Sequence, residues 1–135
     1  MFIRCLIVVL ILNLIIRYGA SFQHNRTKIR DNEMKPVNYF KQDIAASLIP
    51  TKGLTLTASF NHYFNDMIES SARSSWFGNV GARYKMKDVD LMLDWTNIFN
   101  TRRFVTYSYN EISSYYSEYE LRPAEILLRV RFKIL

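Results

Sequence analysis

Apolar residues recur at every second position along most of this chain, and that period belongs to the pleated strand, not the helix. Leu54, Leu56, Ala58, Phe60, His62 and Phe64 share one face, and Thr55, Thr57, Ser59, Asn61, Tyr63 and Asn65 share the other. The stretch 76–86 repeats the scheme with Trp76, Gly78, Val80, Ala82, Tyr84 and Met86. So do Val89, Leu91, Leu93 and Trp95, and then Ile126, Leu128, Val130, Phe132 and Ile134. An earlier segment sets Ile16, Tyr18, Ala20 and Phe22 against Arg17, Gly19, Ser21 and Gln23. The weakest strand is 37–49, where Gln42 interrupts Phe40, Ile44, Ala46 and Leu48. Six antiparallel strands are therefore expected between residues 14 and 135.

Strand length narrows the choice of environment. Several alternations run for about ten residues, the 9–11 that a tilted strand needs to cross a bilayer, whereas strands of soluble proteins average about 5–6. The connections alternate in length. Residues 25–36, 66–74 and 100–123 are long and polar, while Pro50-Thr51-Lys52-Gly53 and Lys87-Asp88 are tight. Membrane barrels alternate short periplasmic turns with longer outer loops in this way. The expected fold is an all-β, antiparallel transmembrane β-barrel segment, an open curved sheet when taken alone, in the cell outer membrane. Phe60, Phe64, Trp76 and Trp95 would form a girdle near the long-loop side and Tyr84 one near the turn side. The C-terminus falls on the turn side.

The N-terminal run, residues 1–13, carries no such alternation. Met1 to Arg4 is short and positive, and Cys5 to Ile16 is apolar but for Asn13. That suits a signal-peptide core, with a poor processing site at Tyr18-Gly19-Ala20, or a remnant strand. It is too short for a spanning helix, which needs about 20 residues.

Catalytic and metal chemistry find little purchase. His24 and His62 are far apart and have no Cys or carboxylate at ligand spacing, so His62 reads as an interfacial aromatic and no metal or cofactor is expected. Asp90 and Asp94 share a face, but Lys85 should lie opposite Asp90 across the Lys87-Asp88 turn, which reads as charge pairing and not acid–base catalysis. No enzymatic activity is expected. Asn25-Arg26-Thr27 fits a glycosylation sequon and carries no argument. The formal charge of +6 is spread through the chain, and the two-face separation argues against nucleic acid. Five tyrosines in the last long connection (Tyr107, Tyr109, Tyr115, Tyr116 and Tyr119) form either a stiff aromatic hairpin or a surface-ligand loop.

Two segments carry a resemblance to a known family. Leu93-Asp94-Trp95-Thr96-Asn97-Ile98-Phe99-Asn100 resembles the Asn-Leu-Phe-Asn strand exit of TonB-dependent outer-membrane receptors, with Ile98 replacing Leu. Leu121 to Phe132, through Pro123, resembles their closing strand. Asn97, Phe99, Asn100, Pro123 and Phe132 are the carrying residues. The resemblance implies energised import of a bulky solute by the intact protein, and as partners outer-membrane lipid, the barrel-assembly machinery and the remaining barrel strands or another chain. Ile134 keeps the apolar register, and Leu135 departs by one step from the family's usual terminal Phe. Such receptors have about 22 strands around a plugged lumen, and about eight is the smallest barrel known. Six strands cannot close, so a fragment, a truncated gene product or a chain that pairs its edges is expected. Two other readings of the same residues stay open: a non-transporting outer-membrane structural protein, and a soluble secreted β-domain that acts as a binding module.

Overall fold

The computed structural model describes residues 1–26, 28–29, 32–33, 36–109 and 113–133. Thr27, in the sequon, and Ile134 and Leu135, at the end of the closing strand, lie outside the described residues, as do the side chains of Ser108 and Tyr109. The chain is all-β: β1 (Phe2–Ile11), β2 (Leu14–Asn25), β3 (Lys28–Ile29), β4 (Asn32–Glu33), β5 (Val37–Thr51), β6 (Leu54–Asn65), β7 (Ser74–Lys85), β8 (Val89–Thr96), β9 (Arg103–Tyr109), β10 (Ser114–Glu120) and β11 (Glu125–Phe132). Seven of these form one antiparallel sheet in the order β1-β2-β5-β6-β7-β8-β11, open at both rims. β3–β4 and β9–β10 are separate hairpins inside the first and last long connections.

The sheet thus has one strand more than the alternation of the sequence suggests. β1 is the apolar N-terminal run, paired with β2 along its whole length from Phe2↔Gln23 to Ile11↔Leu14. Period two is hidden in Phe2–Ile11 because, Arg4 apart, both faces are apolar, so only pairing reveals the strand. A two-residue turn at Leu12-Asn13 joins it to β2, and Leu12 takes a left-handed φ of 46° to make it.

Three short turns therefore lie at one end of the sheet: Leu12-Asn13, Lys52-Gly53 and the loop between β7 and β8. All three long connections lie at the other. At Gly53 the backbone takes a φ of 88°, and a Cβ there would come within 2.6 Å of the Lys85 carbonyl oxygen. Glycine lets the neighbouring hairpin approach, and Lys85 N donates to Gly53 O at 2.8 Å. The adjacent strand irregularity between Leu48 and Thr51 holds Pro50, a residue with no N–H to give a ladder.

The β7–β8 register is the one that a two-residue turn dictates: Lys85↔Asp90, Tyr84↔Leu91 and Val80↔Trp95, with Met86 N donating to Val89 O at 2.8 Å. Following such pairs across the sheet sorts its side chains. Arg4, Arg17, Lys41, Asp43, Arg83, Lys85, Asp90, Asp94, Glu125, Arg129 and Arg131 all fall on one face. Every charged residue of the seven strands is among them. The opposite face is uncharged from rim to rim. The charged face is concave and lines a cavity of about 860 Å³ between Arg17 on β2 and Arg129 on β11.

The strands are also staggered. A row of directly paired residues runs Ile16, Ala46, Ala58, Val80, Trp95. It crosses β2 two residues from the strand's turn end, Leu14, and β8 six residues from its own, Val89. Four residues of drift over four strand steps, at about 3.3 Å rise and about 4.8 Å spacing, is a slant of about 35°.

The pairing of β1 is checked through Cys5, which lies directly opposite Ala20. Directly paired residues stand about 4.5–5.5 Å apart at Cα, within disulfide reach. Ala20→Cys should form an intramolecular disulfide with Cys5 on mild oxidation in detergent, seen as a mobility change on a non-reducing gel. Ser21→Cys, on the other face, should not.

Candidate membrane interface and strand-exit turn

The uncharged face carries its aromatics at two levels. Phe60, Phe64, Trp76 and Trp95 lie toward the long-connection end, and Tyr84, paired with Leu54, lies beside the short turns. Trp76, Tyr84 and Trp95 are each close to half exposed, and Ile126, Leu128 and Phe132 on β11 are about two-thirds exposed. Phe132 ends the described part of β11, opposite Val89.

Among the polar side chains on this face, four satisfy one another. Tyr18 Oη donates to Gln42 Oε1 at 3.4 Å, and Gln42 Nε2 donates to His62 Nδ1 at 3.2 Å. The opposite ring nitrogen, Nε2, then donates to Ser74 Oγ at 2.8 Å. His62 also stacks on Trp76 with centroids 4.1 Å apart. Gln42, which breaks the alternation of its strand, is thus a link in a ladder across β2, β5, β6 and β7, an arrangement that matters wherever water is scarce. A lone polar residue in an apolar stripe was the signal for it, but its partners are non-local.

The strand-exit turn is built by its two asparagines. Asn97 and Asn100 have φ values of 50° and 51°, the left-handed conformation that asparagine tolerates. The Asn97 side chain accepts from Thr101 N at 3.0 Å and donates to the carbonyls of Thr101 at 2.9 Å and Arg122 at 2.8 Å. Its own N–H donates to Asn79 Oδ1 at 3.0 Å. Asn100 N donates to Asn97 O at 2.7 Å, and Asn100 Oδ1 accepts from Ala124 N at 3.2 Å. Those last contacts set the start of β11 on either side of Pro123.

Between the asparagines, Ile98 and Phe99 fold onto Gly78, where a Cβ would lie 2.8 Å from each. Phe99 reaches Phe60 and Trp76 with centroids 6.1 and 6.4 Å apart. The turn therefore ties β7, β8 and β11 together and adds an aromatic beside Phe60 and Trp76. Gly78, unremarkable in sequence, is its seat.

On the concave face the ion pairs are Arg83–Asp90 at 2.9 Å and Arg129–Asp94. Lys85 lies opposite Asp90 in register, but the carboxylate pairs with Arg83, one step diagonal on the same strand, where the longer forked side chain makes the contact. Among the described residues no group of three His, Cys, Asp or Glu could hold a metal ion.

The tyrosines of the last connection divide between the two faces of a hairpin, Tyr107 and Tyr116 directly paired on one and Tyr115 and Tyr119 on the other. Tyr107 lies on β9, and Tyr115, Tyr116 and Tyr119 lie exposed on β10, while the side chain of Tyr109 lies outside the described residues. What anchors this hairpin is Phe104, edge-on to Tyr63 and Phe77 with centroids 5.3 Å apart in each case. Val105 is buried, and Asn65 Nδ2 donates to Tyr107 O at 2.9 Å. The hairpin so folds against the charged face at the long-connection end and helps enclose a pocket of about 340 Å³ with Tyr39, Tyr63 and Arg73. Phe104 went unremarked because its partners lie about 30 to 40 positions away in the chain, as the residue numbers show.

No family model, curated protein or solved structure matches this chain.

Two outcomes are expected from this geometry. Asn97→Ala removes three side-chain hydrogen bonds and places alanine in a left-handed conformation, which should lower stability by about 2–4 kcal/mol. Urea unfolding in detergent micelles measures it. In the hairpin, hydrogen bonds from Arg103, and then from Tyr116, hold the Glu118 carboxyl below its ordinary value. A depressed folded value means that the stabilisation is complete above the ordinary glutamate range, about 4.3, and is lost as pH falls through the lowered value. Carbon-13 titration should show Glu118 moving up toward the ordinary range in Arg103→Ala, with the Tyr116 bond still holding it below.

Proposed function

We propose that this chain is a wall segment of an outer-membrane β-barrel, with its uncharged face against lipid and its charged face toward a wet interior. One observation carries the reading: registered pairing puts all the charges of seven strands on one face. An uncharged surface of that breadth, with Trp76 and Trp95 close to half exposed, has to be covered by something apolar.

Lipid is the cover that the other dimensions favour. β2, β6 and β7 are 12 residues long each, sufficient for the roughly 9–11 that a tilted crossing needs. The slant of about 35° falls within the roughly 35–45° of membrane barrels. Short turns at one end and long connections at the other match the same architecture, and β1 extends the scheme by one more short turn. No helix of the described residues is long and apolar enough to cross a membrane, which bears on helical spans alone.

The more specific reading is that the wall belongs to a TonB-dependent receptor, which in intact form imports a bulky solute. Its support is the strand-exit turn at Asn97–Asn100, followed by a hairpin connection and a final strand that begins just after Pro123. This chain would contribute wall, interior charge and long connections at the cell surface, without catalysis. Its neighbours would be outer-membrane lipid and the further strands that its rims require, and its folding would depend on the barrel-assembly machinery.

Depth-resolved substitution tests the membrane reading. Ala58 and Val130 lie on the uncharged face, and Ala58 lies midway along β6 between Ala46 and Val80. Arginine at either should lower the stability of the assembled barrel by about 2–4 kcal/mol, whereas Thr57→Arg, on the charged face, should change it little. Equal losses at positions 57 and 58 would contradict lipid contact.

A further inference from the structure

Among the described residues Val37, Ile68 and Val105 are the buried hydrophobic side chains, and all three line one cavity. Two buried polar residues, Asn65 and Ser75, line it as well. It is the pocket of about 340 Å³ at the long-connection end of the charged face. The sheet makes its floor, the 66–74 connection one wall and β9 the other. The most closely packed part of this molecule is thus a shell around an opening.

Asn65 holds that shell in shape. Its side chain donates to Tyr107 O at 2.9 Å and accepts from Met67 N at 3.0 Å. Its own N–H donates to Arg73 O at 3.0 Å. One residue of β6 therefore fixes both ends of the connection and the strand β9. Asn38 on β5 ties down the same connection, donating to the Asp66 carboxylate from N at 2.8 Å and from Nδ2 at 2.7 Å. A cavity bounded in this way is preformed, so a ligand need not order it.

The lining sorts by chemistry. Tyr39, Tyr63, Phe104 and Tyr107 bring rings from three strands, and Arg73 is the one charged residue among the lining side chains. No carboxylate lines the cavity, and Asp66 beside it is engaged by Asn38. Arg73 Nε donates to Ile68 O at 3.3 Å, which orients the guanidinium group. Among the described residues Arg73 has no ion pair, so its terminal nitrogens are left to face an anion. The Lys41 ammonium, 5.3 Å from the Tyr63 ring centroid, adds positive potential.

We propose that this cavity binds an aryl carboxylate of one or two rings. The carboxylate takes the planar fork of Arg73, and the rings take the aromatic walls. One cation balances one carboxylate, whereas a dianion such as phosphate would stay half neutralised. A volume of about 340 Å³ is near the lower limit of small-molecule pockets, roughly 300–1,000 Å³, which sets the size of the ligand. The site goes beyond the wall reading and uses residues of this chain alone.

Naphthoate and its neutral counterpart, naphthylmethanol, are titrated into the full chain in phosphocholine detergent, with methyl NMR as the readout. The Val37, Ile68 and Val105 methyls should shift saturably with naphthoate. Those of Ile126 and Leu128, on the uncharged face, should stay in place, which separates binding from partition into detergent. Naphthylmethanol should bind roughly tenfold more weakly, because it forms no charge-assisted pair. Arg73→Gln should reduce naphthoate to the affinity of the alcohol and leave the alcohol unchanged. Where Arg73→Gln loses both ligands, Arg73→Lys decides, and it should still prefer the acid. Equal affinity for acid and alcohol in the unaltered chain overturns the proposal. So does a preference that survives Arg73→Gln or is missing in Arg73→Lys, and so do shifts absent from the pocket or spread equally over both faces. Each of these failures leaves the membrane reading in place, since that reading is tested at positions 57 and 58.

Discussion

Everything in this molecule depends on one constraint: antiparallel pairing in a fixed register, with side chains alternating between the two faces. A slip of one residue in any strand but β6, which has no charges, would carry that strand's charges onto the uncharged face. The register is held where it can be held locally. Three short turns set the hairpins, Gly53 lets two of them approach, and the asparagine turn at 97–100 pins β8 to the start of β11. Pairing then spreads the separation of charge sideways, so that strands distant in sequence obey it as well as neighbours do.

The interactions follow from that division. On the charged face, Asp90 and Asp94 have arginine partners from neighbouring strands in a concave, polar setting. On the uncharged face, Tyr18, Gln42, His62 and Ser74 share their hydrogen bonds. A polar group that faces an apolar medium costs little once it is bonded and much when it is not. The ladder satisfies four of the polar residues on a face that carries no charge. It coincides with the aromatic level, where His62 stacks on Trp76 and Phe99 packs beside it.

Much of this was legible in the sequence, and the missed parts share a cause. Alternation located six strands, and a two-residue turn at Lys87-Asp88 gave the β7–β8 register residue by residue, because both signals are local. β1 was hidden by its own uniformity: beyond Arg4, Phe2 to Ile11 offers no polar side chain at period two to mark a face. Arg83 as the partner of Asp90, Gly78 as the seat of Phe99, and Phe104 as the anchor of the last hairpin are all contacts across strands. They depend on register, side-chain reach and curvature, none of which is written in a neighbouring residue. The hairpin itself was among the expected forms of its tyrosine-rich connection. That its tyrosines divide between two faces, with Phe104 reaching the sheet beside Tyr119, was not legible.

Both tryptophans of the chain lie on the uncharged face, at the level nearer the long connections, which makes their fluorescence a direct report on what covers that face. The decisive measurement is emission from the assembled protein in vesicles whose acyl chains carry bromine at defined depths. If the face meets lipid, Trp76 and Trp95 emit at short wavelength and are quenched most by bromines near the headgroup end of the chains. Emission at the wavelength of water-exposed indole, with no quenching at any depth, would contradict the account.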